Sequence, residues 1–164
     1  MKHLLFALTM ALFGAVSGHA HSQSDLEGKL RADINAEFNR NISKCGIEVD
    51  VVTDFGKKKE FWRICHLDNN NRIIKIESHS EDTYYQEAYF ERNDSLVYAA
   101  ETERYMPKNH FTQQVWHCEF YISNGKLVTM MSLGHGKTER DDWDPNIIFE
   151  MYKDRLNELK RIKK

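Results

Sequence analysis

The chain has 164 residues, of which 41% are hydrophobic and 29% charged, with 23 Lys and Arg set against 25 Asp and Glu for a net charge of −2. That length suits one ordinary globular domain with a real core. The balance argues against a general nucleic-acid binder, which needs a basic surface to displace counterions; the basic run at Lys160, Arg161, Lys163 and Lys164 instead fits the end of a helix, where cations complement the dipole.

The first residues read as an address label. Lys2 and His3 give a cationic start, Leu4 to Val16 form an apolar run broken only by Thr9 and Gly14, and Ser17-Gly18-His19-Ala20 offers small residues where a signal peptidase reads. The run is shorter than the roughly 20 residues that cross a bilayer, and polar residues follow it at once from His21. The expectation is a cleaved secretory signal at 1–20 and a single small domain at 21–164, periplasmic or secreted, with no membrane span in the mature chain.

In that domain, Leu26, Leu30, Ile34, Phe38 and Ile42 recur every fourth position, which predicts an amphipathic helix opening near Ser24 or Asp25 and ended by Gly46. Ile47, Val49 and Val51 then alternate with Glu48 and Asp50 as a strand. Asp54-Phe55-Gly56 has the form of a three-residue hairpin turn. It would set Thr53 opposite Lys57 and, further out, Cys45 opposite Cys65. Of the three cysteines, Cys45 and Cys65 are therefore the predicted disulfide, as an oxidising compartment permits.

A weak internal repeat follows. The stretches from His66 to Ile74, Tyr89 to Val97 and Phe120 to Val128 each read as strand, Asn-centred turn and strand, with Asn70, Asn93 and Asn124 at the bends. Asparagine tolerates the positive φ of tight hairpins, and the irregular spacing excludes a solenoid. Tyr105 to His110 and Gly134 to Trp143 are longer connections. Asp144-Pro145 opens a last helix with Ile148, Met151, Tyr152, Leu156 and Leu159 along one side. The predicted fold class is α+β: an antiparallel β-meander of seven or eight strands flanked by an N-terminal and a C-terminal helix.

No stretch spells out a reaction. Gly134-His135-Gly136-Lys137-Thr138 ends like a phosphate-binding loop, but Met131 stands where that motif needs glycine. Cys118 shares a strand face with Trp116 and Phe120, while His117 points the other way, so the thiol reads as buried and inert. His21 would become the mature N-terminus and could clamp copper with other imidazoles from His66, His79, His110, His117 or His135, although no pair has metal-ligand spacing. The tyrosines at 84, 85, 89, 98, 105 and 121 suit a binding surface or a core. The densest recognition composition is the loop with Lys137, Arg140, Asp141, Asp142 and Trp143, an aromatic among charges.

These residues point to an exported binding domain that is more readily non-enzymatic than an enzyme, with no cofactor or metal assigned and a protein partner in the envelope. Such a domain would act as an inhibitor or immunity-type partner of an envelope enzyme. The alternatives are an envelope metal-binding protein or enzyme built on His21, and an envelope structural or assembly factor. N-terminal sequencing of the exported protein is expected to begin at His21; a product that retains Met1 and its apolar run would contradict the signal assignment.

Overall fold

The computed structural model describes residues 4–55, 58–108 and 114–162, with side chains from residue 23 onward except Phe55. Seven strands, β1 (Val51–Phe55), β2 (Lys58–His66), β3 (Arg72–Ser80), β4 (Thr83–Arg92), β5 (Ser95–Tyr105), β6 (Gln114–Ser123) and β7 (Lys126–Leu133), form one antiparallel sheet in sequence order. Helix α1 (Leu4–Ile42) precedes the sheet and α2 (Ile147–Ile162) follows it. This is the α+β meander that the alternation and turn chemistry predict, with seven strands. No described helix is long and apolar enough to cross a membrane.

The three Asn-centred bends are reversals between strands. Asn69 and Asn70, then Asn93 and Asp94, then Asn124 and Gly125 all carry φ between 50° and 69°, the left-handed pair that matches strand twist. The bend between β3 and β4, at Glu81-Asp82, has neither asparagine nor glycine; Glu81 takes φ 52° there, which explains why composition alone does not mark it.

Each face of the sheet buries a core. On one face Trp62, Ile74, Tyr89, Ala99, Trp116, Cys118 and Phe120 pack under Ile148, Tyr152, Leu156 and Leu159 of α2. On the other, Ile73, Ala88, Phe90, Tyr98, Ala100 and Tyr121 lie beneath Leu30, Ile34, Phe38 and Ile42 of α1. The predicted stripe of α1 is thus its packing face, except that Leu26 is 63% exposed. Arg155 pins α2 to its face: the guanidinium donates to Glu60 and Glu87 and lies over the Trp62 ring. Burial works against that charge, yet the hydrogen bonds and attraction of Glu87 and Glu60 outweigh it and raise its pKa.

The first hairpin differs from expectation in register. Val51 pairs with Trp62 and Phe55 with Lys58, so Asp54 and Phe55 are strand residues, while Gly56 of the expected turn and Lys57 lie outside the described residues. Ile47 does not enter a strand and is 88% exposed. The cause is Asp50. Its amide bonds the Trp62 carbonyl at 2.9 Å, and its carboxylate accepts the Ile64 amide at 2.6 Å, taking the donor that an earlier-starting strand would have paired.

The Cys45–Cys65 disulfide is present nonetheless, with Cα atoms 5.6 Å apart, but Cys45 reaches it from a turn rather than from a strand. The Cys45 amide bonds the Ile42 carbonyl at 3.2 Å, so α1 ends before Gly46 and delivers the thiol to β2. The bond staples the end of α1 to the sheet across a sequence separation of 20. Replacing both cysteines with alanine is expected to lower unfolding free energy by about 3 kcal/mol, read from the urea midpoint; an unchanged midpoint would contradict a native staple.

Candidate functional site

The path of α1 decides which part of its sheet face stays exposed. Arg31 reaches the Met131 thioether on β7, Asn35 bonds Tyr121 on β6 at 2.9 Å, the Phe38 ring meets Tyr98 on β5 at 4.7 Å and Phe90 on β4 at 6.1 Å, and Cys45 joins β2. The helix therefore crosses the strands at the end where the Asn bends lie. Toward the opposite end the same face continues without it, and each strand changes chemistry there: Ile73 gives way to Glu77 and His79, Phe90 and Ala88 to Gln86 and Tyr84, and Tyr98 and Ala100 to Thr102 and Arg104. Register sets Glu77 beside Gln86, Gln86 beside Thr102 and Thr102 beside His117 in one row across the sheet.

This open half is knitted together. The Tyr84 hydroxyl donates to Glu77 Oε1 at 2.6 Å, with the Gln86 side-chain oxygen 2.9 Å away. Glu77 also pairs with Arg63 at 2.8 Å and Lys75 at 3.1 Å. The His79 ring lies 5.0 Å from Tyr84, and the Arg104 guanidinium stands 5.8 Å over the same ring. Burial would lift the Glu77 carboxyl, but Tyr84 and Lys75 more than offset it and hold its pKa below the usual range. Burial and the Glu77 bond push the Tyr84 phenol up. The phenol stays neutral and the carboxylate charged at physiological pH.

At the border between covered and open halves sits a second network. Thr102 Oγ1 and His117 Nδ1 share a hydrogen bond at 2.8 Å, and His117 Nε2 lies 3.5 Å from Glu119 Oε1. Glu119 accepts from Tyr98 at 2.9 Å and from Tyr121 at 2.7 Å, and Tyr121 accepts from Asn35 of α1. Its pKa is lowered to about 2, first by His117, against burial, and then by the two phenols. A hydroxyl, imidazole and carboxylate in series can in principle activate the hydroxyl. Here Thr102 is only 8% exposed and both Glu119 oxygens are engaged by phenols, so the series orients the surface and ties it to α1 rather than presenting a nucleophile.

The loop expected to recognise a partner is divided. Lys137 Nζ sits 2.5 Å from Glu101, and Trp143 is half-buried with its ring 6.3 Å from Phe120, so both are committed to the fold on the α2 face. Arg140 pairs with Asp142 at 2.9 Å and, with Asp141, is exposed. The glycines of this loop serve close approach: a Cβ on Gly134, at φ +79°, would fall 1.9 Å from the Val115 carbonyl oxygen, and one on Gly136 would fall 2.3 Å from the Trp116 ring. Trp116 Nε1 donates at 3.2 Å to Ser132 and Thr138, completing a cover for that corner of the sheet.

Cys118 is buried and free, and burial, reinforced by Glu101 and Glu119, pushes its thiol up to about 12, which suits a packing role. Tyr89, Tyr98 and Tyr121 are buried, whereas Tyr84 and Tyr85 are half-buried and Tyr105 is exposed. Among the described residues no group of three or more His, Cys, Asp or Glu could hold a metal ion. His79, His117 and His135 stand apart, His135 bonding Glu139 at 2.6 Å, while His110 and the side chain of His21 lie outside the described residues. A cleft of about 640 Å³ between α1 and the β2–β3 bend mixes Asp33, Glu37 and Asp68 with Arg40, Lys44 and Arg92, selecting no single charge of ligand.

No family model matches the chain, and neither a curated protein nor a solved structure matches it.

The Glu119 network makes a signed pH prediction. A carboxylate with a depressed folded pKa stabilises the fold above its ordinary value of 4.5 and loses that contribution as pH falls toward about 2. Glu119→Gln is expected to cost about 1–2 kcal/mol at neutral pH. The difference from wild type should shrink below pH 4.5. Urea unfolding of both proteins across the acid range checks this, and a difference independent of pH would contradict it.

Proposed function

We propose that this protein is an exported, non-enzymatic binding domain of the periplasm or extracellular space, which recognises a protein partner through the open half of its α1 face. The carrying observation is the set of Tyr84, Glu77, Gln86, His79 and Arg104, locked into one another on rigid strands and left uncovered by α1. Tyrosine and arginine dominate binding hot spots, and side chains already held in place lose little entropy when a partner arrives. The signal-like first residues and the staple, a bond that persists in oxidising compartments, support export. Such a surface fits an inhibitor or immunity-type partner of an envelope enzyme, with Arg140, Asp141 and Asp142 as a separate exposed charged group.

The test is capture from an envelope extract on immobilised protein, comparing wild type with Arg104→Glu, His79→Ala and Arg140→Ala. The first two alter exposed residues of the open face and are expected to weaken retention of the same partner by about tenfold or more, with Arg140→Ala close to wild type. Equal retention by all four proteins would overturn the assignment of the surface. So would loss confined to Arg140→Ala.

A further inference from the structure

The two edges of the sheet are treated differently. At one edge β1 is only 5 residues long, and Asp50 occupies the Ile64 amide beyond it, so pairing is stopped by a charged side chain. At the other, β7 runs 8 residues as Lys-Leu-Val-Thr-Met-Met-Ser-Leu. From Leu127 to Leu133 it holds no charge and no proline. A bulge opposite Tyr121 and Ile122 disturbs its start, leaving Thr129 to Leu133 regular. Met131 and Leu133 stand exposed on the α1 face of this edge, the latter at 63%, with Val115 of β6 on the same face. Native sheets ordinarily blunt such an edge with lysine, proline or a cover.

Helix α1 overshoots this same edge. Arg31 already sits on β7, so the part of α1 before it, which begins at Leu4, runs past the last strand; Gln23 to Leu30, the portion with described side chains, alone extends about 12 Å at 1.5 Å per residue, or about two strand spacings. The apolar stripe that packs on the sheet through Leu30, Ile34 and Phe38 continues into the overhang at Leu26, which is 63% exposed. The stripe outruns its own sheet.

We propose that a second copy of this chain occupies the edge, as a two-fold dimer in which the β7 strands pair antiparallel and each α1 overhang covers part of the partner copy's exposed edge. Each copy carries both halves of the fit on one edge: the uncharged stretch Leu127 to Leu133, with no neighbouring strand on its outer side among the described residues, and an overhanging apolar stripe. A two-fold arrangement satisfies both at once, and self-pairing of Leu127 to Leu133 opposes no like charges. The two-fold axis would stand perpendicular to the sheet, so the two open surfaces would lie on the same side of a continuous sheet of both chains. The inference does not depend on the proposed partner.

Sedimentation of the exported protein over a range of concentrations tests this, alongside Leu133→Glu and Leu26→Asp, which alter exposed positions and leave both cores intact. Wild type is expected to sediment as a dimer, with each variant raising the dissociation constant at least tenfold at an unchanged circular dichroism spectrum. A wild type that is monomeric at every concentration would overturn the proposal, including one that takes a strand of a different protein at β7. So would a dimer that neither substitution weakens.

Discussion

One helix cannot cover one face of this sheet, and the molecule is organised around that shortfall. A strand such as β5, 11 residues long, extends about 36 Å at 3.3 Å per residue, whereas a helix lying across it shields a band about 10 Å wide. α1 takes its band at the Asn-bend end, where Phe38 meets Phe90 and Tyr98, and is fixed there by the Cys45–Cys65 staple. Beyond the band an apolar strand face would be left wet. The strands turn polar at that border, and the polar side chains satisfy one another: Tyr84 with Glu77, and Thr102 with His117.

The α2 face meets the same shortfall differently. There Arg155 draws Glu60 and Glu87 under the helix, Lys137 covers Glu101 from above, and the Gly134–Trp143 loop folds its tryptophan onto Phe120. Buried carboxylates are costly unless paired, so this face uses its loop and its helix cations to complete the core. The α1 face keeps its polar groups at the surface. That asymmetry leaves the exposed polar side chains, His79 and Arg104 among them, on the α1 face.

Much of this architecture was legible in the residues, and the failures have physical causes. Tight bends need positive φ, and asparagine supplies it, so the hairpins at Asn70, Asn93 and Asn124 could be placed; Glu81 adopts the same conformation with no compositional mark. The alternation of Ile47, Val49 and Val51 suggested an inward-facing strand because nothing local reveals that Asp50 will take the Ile64 amide. The disulfide pair was right although its register was not, since a turn after α1 reaches Cys65 as readily as a strand would. Among the candidate binding residues, Trp143 and Lys137 have the composition of a recognition loop, but their long-range partners Phe120 and Glu101 lie far away in sequence. The open-face set is assembled from β3, β4 and β5, and only strand register brings it together; the tyrosine-rich character of the strands was its one local signal.

Every feature of this sheet face follows from where α1 lies, and proton NOE contacts in solution read that directly. The Phe38 ring should show cross-peaks to Tyr98 and Phe90 and none to Tyr84, with Tyr84 seen instead by His79. Cross-peaks from α1 side chains to Tyr84 or His79, or none between Phe38 and Tyr98, would contradict it.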